Sequence, residues 1–104
     1  MVIYAMKWDI RPGMVDAYRD WAHSAVKRLL AVPGVVEFRA YRMITGCHQV
    51  AVTFEFTDMQ ALASWQSNED TQKALEDGRE YTINISTEIL GPSPIVPEPI
   101  RPKQ

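Results

Sequence analysis

The sequence predicts an α+β domain with the element order βαββαβ. Apolar and polar residues alternate in four segments, which is the period of a strand with one apolar face. Two further regions carry apolar residues at helical spacing and are bounded by turn or capping residues. With 104 residues and 46% hydrophobic content, the chain is long enough for one globular domain.

The pattern begins with a strand and a long helix. Alternation predicts the strand over residues 2–10, and an Arg-Pro-Gly turn at 11–13 ends it. An apolar stripe predicts the helix over 14–30, and the Pro-Gly pair at 33–34 stops it. The change from a period of two to a helical period separates the two elements.

Two strands follow and are expected to form a hairpin. They are predicted over residues 35–44 and 48–56, because apolar side chains alternate through both and a Thr-Gly turn joins them. The last strand is predicted over 81–90, with Ile83, Ile85 and Ile89 on its apolar face.

The second helical region is predicted in two pieces, over residues 58–66 and 68–78. Thr57 with Gln60 resembles a capping box before the first piece. An acidic variant of that pattern, Ser67 with Asp70, precedes the second piece.

Right-handed crossovers arrange this order as a four-stranded antiparallel sheet with all helices on one face, which is the ferredoxin-like plait. We predict that residues 1–90 form this domain. Residues 91–104 contain five prolines in fourteen positions and are predicted to be an extended tail. The tail is either frayed or a strap over a neighbouring subunit.

Composition excludes several classes of function. The net charge is −2 and the cations are dispersed, which argues against a nucleic-acid partner. No apolar run approaches the roughly 18 residues of a membrane span, and the N-terminal segment lacks the features of a signal peptide. Cys47 is the single cysteine, so no intrachain disulfide is possible. The predicted compartment is the cytoplasm.

The sheet face that the helices leave open is predicted to be a homodimer interface. Its mixed composition is too apolar for a free surface and too polar for a monomer core. Charged Glu37, Arg39 and Glu55 are expected to pair across that contact. The predicted face contains Ile3, Ala5, Val35, Tyr41, Met43, Ala51 and Thr53, with Lys7, Glu37, Arg39, Glu55, Asn84 and Ser86.

The opposite face, under the helices, is rich in aromatic residues. Such a collection either packs closely as a core or leaves an apolar pocket with a few polar groups for a small molecule. Trp65 is the strongest candidate for a pocket wall, because it ends a short helix among small and polar residues. The aromatic and apolar candidates are Tyr4, Met6, Trp8, Tyr18, Trp21, Phe38, Phe54, Phe56 and Trp65, with Leu75 from the second helical region.

The two Pro-Gly turns, the element order and the S-W-Q-S sequence around Trp65 resemble the antibiotic biosynthesis monooxygenase family of dimeric α/β barrels. The resemblance covers about residues 2–90. It implies that two sheets pair face to face into a barrel, with a pocket in each subunit between sheet and helices. Some members are oxygenases that act on aromatic or quinone-like molecules without metal or flavin.

A haem-degrading branch of that family implies a different site. It uses an Asn on the first strand and a His ten residues after the tryptophan, and those positions hold Met6 and Leu75 here. Neither side chain can replace the iron ligand. His23 and His48 are expected to be solvated, so no cofactor or metal is predicted.

The resemblance therefore implies a cofactor-independent monooxygenase acting on a small aromatic molecule, with Trp65, Tyr18 and Tyr4 as the catalytic candidates. The other pocket candidates would bind the substrate, and Arg42 is possible at the mouth. No strong base is evident; His48, Glu55 and Asp58 are the titratable neighbours. A non-catalytic ligand-binding or stress-related dimer of the same barrel type is the alternative.

Overall fold

A computed structural model describes residues 1–103. It contains four strands and three helices, and it confirms the predicted order with the second helical region divided in two. The elements are β1 (Val2–Ile10), α1 (Val15–Ala31), β2 (Glu37–Arg42), β3 (Val50–Phe56), α2 (Met59–Ser67), α3 (Glu69–Gly78) and β4 (Thr82–Leu90). The hairpin strands β2 and β3 are shorter than predicted, because the connection between them occupies residues 43–49.

The residues that cap α2 and α3 differ from those predicted. Asp58 caps α2 and accepts a hydrogen bond of 2.8 Å from the Ala61 backbone N–H. Asn68 caps α3 and accepts one of 2.9 Å from the Asp70 N–H. Both caps lie one residue after the predicted Thr57 and Ser67, since Asp and Asn serve at this position as well as Ser and Thr do.

The sheet is antiparallel throughout, in the strand order β2-β3-β1-β4. Tyr4 and Phe38 both pair with Phe54, so the three side chains lie on one face. This is the helix side, where α1 packs against α3 and α2 contacts β1 and β3. The ferredoxin-like arrangement predicted from the element order is confirmed.

Strand β4 changes face at a bulge, which the sequence pattern did not predict. The register with β1 shifts between Lys7 and Asp9, and Asn84 adopts a left-handed backbone with φ of 57°. Thr82 therefore pairs with Ile10 on the helix side. Ile83 lies opposite Asp9 on the open face, so its predicted place on the helix side was wrong.

The open face carries apolar residues between charged ones. Ile3 lies opposite both Glu55 and Leu90, and Arg39 forms a salt bridge with Glu37 on its own strand. Val35 packs against the core instead of lying on this face as predicted, because β2 begins only at Glu37.

Residues 91–103 are exposed and contain no helix or strand. The backbone N–H groups of Ile95 and Val96 both donate to Ser93 Oγ at 3.1 Å, which bends the chain. The segment 97–99 then borders a groove with Ile3. Within residues 1–103, no helix combines the length and apolar character that a bilayer span requires.

Candidate functional site

The helix side of the sheet has two halves that pack differently. The closed half surrounds Trp65, whose side chain is fully buried with Phe56 and Leu62. Trp65 Nε1 donates a hydrogen bond of 3.1 Å to the Leu29 carbonyl oxygen. The ring centroids of Trp65 and Phe54 are 4.7 Å apart. The indole N–H of Trp65 is therefore satisfied inside a close-packed core.

The open half lies between α1 and the strands β1, β2 and β3, and it contains a cavity of about 110 Å³. A cavity of about 150 Å³ is known to hold a benzene ring, so this conformation admits part of one ring. The cavity is lined by Trp8, Tyr18, Trp21, Ala22, Ala25, Val26, Leu29, Phe38, Ala40, Val50, Val52, Phe54 and Leu75.

Three alanines account for this space. Ala22 and Ala25 face the sheet from α1, and Ala40 lies opposite them on the outer strand β2. A methyl group leaves unfilled the volume that a Leu or Ile would occupy in a close-packed core. These alanines were not among the residues predicted to line a pocket, because that prediction rested on aromatic content. The small residues on the apolar stripe of α1 were the signal that could have identified Ala22 and Ala25.

The hydroxyl group of Tyr18 is a polar group of the cavity that can still donate a hydrogen bond. Trp8 Nε1 donates a hydrogen bond of 3.1 Å to Tyr18 Oη, which leaves the hydroxyl proton free to be donated elsewhere. Burial raises the pKa of Tyr18 above its ordinary value of 10.0, and the hydrogen bond from Trp8 opposes that shift to a smaller extent. Tyr18 is therefore a neutral donor at physiological pH.

Trp21 connects α1 to α3 at the edge of the cavity. Its Nε1 donates a hydrogen bond of 3.3 Å to the Ala74 carbonyl oxygen, and its ring centroid lies 6.4 Å from that of Trp8. A Cβ placed on Gly78 would lie 2.2 Å from the Trp21 ring. Glycine at position 78 thus permits the close approach that fixes this indole.

A shallow groove of about 460 Å³ adjoins the cavity along α1. Tyr18, Ala22 and Val26 line both spaces. The remaining walls of the groove are apolar Ile10 and Val15, with Arg19, His23 and Lys27. Ligand sites usually measure roughly 300–1,000 Å³, so cavity and groove together have the dimensions of a small-molecule site.

The predicted site residues occupy different places. Those that line the cavity are Trp8, Tyr18, Trp21, Phe38, Phe54 and Leu75. Those that belong to the buried core behind it are Tyr4, Met6, Phe56 and Trp65. Tyr4 is 9% exposed, and its ring centroid is 6.1 Å from that of Trp65.

Among residues 1–103, no titratable carboxyl or imidazole lines the cavity. Glu55 pairs with Ile3 on the open face, Asp58 caps α2, and His48 Nε2 lies 3.0 Å from the Asn84 carbonyl oxygen. Arg42 pairs with cavity-lining Val50, which places it on the helix side of the sheet. Within residues 1–103, no three His, Cys, Asp or Glu side chains are grouped as metal ligands.

Sequence comparison identifies the group of proteins to which this fold and site belong. Residues 1–77 match the profile described as antibiotic biosynthesis monooxygenase. The chain belongs to this family. The resemblance inferred from the Pro-Gly turns and Trp65 is thereby confirmed, although no protein among the curated sequences matches.

Solved structures similar to this member of the antibiotic biosynthesis monooxygenase family share its fold at low identity. A Dabb-family protein with a ferredoxin-like fold from Mesorhizobium loti has a TM-score of 0.80 at 17% identity, with 88% of this chain and 96% of that chain covered. A structure described as an antibiotic biosynthesis monooxygenase has a TM-score of 0.74 at 13% identity, with 90% and 100% covered.

SnoaB from Streptomyces nogalater, described as a cofactor-independent oxygenase, has a TM-score of 0.73 at 11% identity, with 93% of this chain and 97% of that chain covered. These likenesses establish the ferredoxin-like fold.

Proposed function

We propose that the protein is a cofactor-independent monooxygenase that oxidises a small aromatic or quinone-like molecule between α1 and the sheet. The observation that carries the proposal is the neutral Tyr18 hydroxyl at the junction of an apolar, aromatic cavity and an open groove. Family membership and the fold shared with a cofactor-independent oxygenase support it. The compact cavity implies that α1 and β2 separate slightly when a ring enters.

The proposed reaction relies on the electrons of the substrate. An activated methylene between two aromatic rings that are conjugated to one carbonyl loses a proton to solvent water, and the resulting carbanion transfers one electron to O₂. The radical pair combines to a peroxide, which takes up a proton and loses water to leave a ketone. One oxygen atom enters the product and the other leaves in water, so methylene plus O₂ gives ketone plus H₂O.

Tyr18 is proposed to donate its hydroxyl proton as a hydrogen bond to the oxyanion that forms when the substrate loses a proton. Its raised pKa suits a donor and does not suit a base at physiological pH. Trp8 orients that hydroxyl. Trp65 and Tyr4 stay predicted catalytic residues, and their burial means that they would act through Phe54 unless the core opens.

Oxygen consumption with anthrone tests this proposal, because its central methylene yields a ketone by the reaction above. We expect uptake of one O₂ per anthrone above the rate of spontaneous oxidation, without added metal or flavin. Tyr18→Phe should lower the turnover number by about tenfold or more, since it removes one oxyanion donor. Tyr41→Phe, on the open face, is the matched control. Uptake equal to the spontaneous rate would reject the proposal.

A non-catalytic ligand-binding protein is the second candidate. The observation in its favour is that the residues lining the cavity include no Asp, Glu or His to accept the substrate proton. Under this alternative, aromatic ligands quench the fluorescence of Trp8 and Trp21 but consume no oxygen. The two assays together therefore separate an enzyme from a binding protein.

We also infer that the chain forms a homodimer through the open face of the sheet. Exposed Tyr41 and Leu90, with Ile3 between Glu55 and Leu90, support this assignment. Glu37 would stay paired with Arg39, or exchange that partner across the contact. Light scattering should give the mass of two chains at micromolar concentration. A single-chain mass that persists on concentration would refute this assembly.

A further inference from the structure

We propose that the molecule bound between α1 and the sheet is an aromatic anion, with its ring in the cavity and its carboxylate against the cations Arg19 and Lys27 of α1. His23 lies between them on the groove wall, and we call these three residues the basic stripe. The inference rests on the proposed site and adds the charge class of the substrate.

The basic stripe follows from the spacing of its residues. Positions separated by four residues lie above one another on a helix, so Arg19, His23 and Lys27 project from one side of α1. All three line the groove beside the cavity. In the described part of the chain, no Asp or Glu lines the groove, although the full sequence has 13 acidic residues against 11 basic ones. The groove therefore carries a local excess of positive charge, whereas the chain as a whole has a net charge of −2.

The cations of the stripe are weakly engaged compared with those elsewhere. Lys7 and Arg28 hold carboxylates at 3.2 and 3.1 Å. Among the described residues, Arg19 has only Asp16 as a partner, at 4.0 Å, in a pair whose side chains are 66% and 98% exposed. Lys27 forms no salt bridge within residues 1–103. An incoming carboxylate would therefore displace little existing pairing.

The arrangement of the two spaces also fits a molecule with an apolar end and a charged end. Tyr18, Ala22 and Val26 form the shared wall, so a ring in the cavity and a substituent in the groove belong to one short ligand. Arg42 lies on the same side of the sheet, opposite Val50 at the end of β2. A guanidinium binds a carboxylate through two parallel hydrogen bonds, which favours this anion over a simple halide.

Binding of 2-naphthoate compared with 2-naphthamide tests the charge class, because the two molecules have nearly the same shape. Quenching of tryptophan fluorescence reports binding, since Trp8 and Trp21 line the cavity. We expect the Kd of 2-naphthoate to be about tenfold lower, equivalent to about 1.4 kcal/mol. The preference should decrease between about 0.1 M and about 1 M salt, because the Debye length falls from about 10 to about 3 Å.

The double variant R19Q/K27Q should bring the ratio of the two Kd values to about one, since little of the stripe's positive charge then remains. The control K73Q/R101Q removes the same charge from exposed positions away from the groove and should retain the preference. Equal affinities in the wild type, or a preference that survives R19Q/K27Q, would overturn the proposal.

The two proposals fail in distinguishable ways. If anthrone is oxidised and 2-naphthoate has no advantage, the oxygenase assignment stands and the charge class is wrong. If 2-naphthoate is preferred and no oxygen is consumed, the charge class stands and the protein is a binding protein. Failure of both ligands to bind would overturn the anionic site.

Discussion

The closed half around Trp65 and the open half around Trp21 are built from the same kinds of residue but pack to different densities. Trp65 is fully buried and its N–H bonds to Leu29 on α1. Trp21 is only partly buried, and beside it three alanines leave a cavity. The same aromatic content therefore fills a close-packed core in one half and borders a cavity in the other, and the size of the neighbouring residues decides which.

Removing each tryptophan is the strongest test of this difference. We expect Trp65→Ala to lower the free energy of unfolding by about 3–5 kcal/mol, since it empties a close-packed site. Trp21→Ala should cost less, about 1.5–3 kcal/mol, because part of that ring already faces solvent. Urea denaturation measures both. Equal losses would mean that the two halves are packed alike.

Gly78→Ala sharpens the comparison by crowding the open half. The added methyl would lie 2.2 Å from the Trp21 ring, so the indole must move, at an expected cost of about 1–3 kcal/mol. Thermal unfolding measures the change. Gly91→Ala is the control, because a Cβ there would meet no atom within 4 Å. A tolerated Gly78→Ala with an unmoved Trp21 would contradict the close approach described above.

Filling the cavity with a larger side chain should make the open half as closely packed as the closed half. Ala25→Leu places a larger side chain where only 2% of the alanine is exposed. We expect binding of 2-naphthamide to weaken by about tenfold, or about 1.4 kcal/mol, while stability stays equal or rises by up to about 1 kcal/mol. Ala17→Leu, on the exposed side of α1, is the control. Unchanged binding by Ala25→Leu would place the ligand elsewhere.

The smallest expected effect concerns the titration of Tyr18. Its raised pKa means that the folded protein holds the hydroxyl proton to higher pH than the unfolded chain does. The stability from the neutral hydroxyl is fully present below pH 10.0 and is lost as the pH rises through the folded-state pKa.

The unfolding free energy of the wild type, relative to Tyr18→Phe, should therefore be constant below pH 10.0 and decrease above it. Tyr41→Phe keeps the Tyr18 hydroxyl, so its unfolding free energy relative to that of Tyr18→Phe should show the same decrease. A difference that rises with pH would show that the shift has the opposite sign.

Most of the fold could be predicted because hydrophobic periodicity and turn residues report local structure directly. The order of elements and the division of the second helical region follow from such patterns. The bulge at Asn84 could not be predicted, since it depends on hydrogen bonds that Asn84 Nδ2 and its carbonyl oxygen form with Asp9 and His48. These partners are distant in sequence.

The candidate site was harder to predict than the fold. Aromatic content identified Trp8, Tyr18 and Trp21, which line the cavity. Aromatic content alone cannot distinguish residues that line a cavity from residues buried in the core. Trp65 is aromatic like the lining residues, yet it lies in the core behind them. The cavity depends on the small side chains of Ala22 and Ala25, and the space that they leave is recognised only when β2 is placed opposite α1.

The bulge in β4 has a further consequence for how the protein avoids aggregation. β4 is nine residues long and forms an outer edge of the sheet, where unpaired backbone groups can recruit a strand from another molecule. The left-handed turn at Asn84 interrupts the regular spacing of those groups, and Pro92 prevents the strand from lengthening. One irregular residue thus makes this edge a poorer template for pairing with a strand of another molecule.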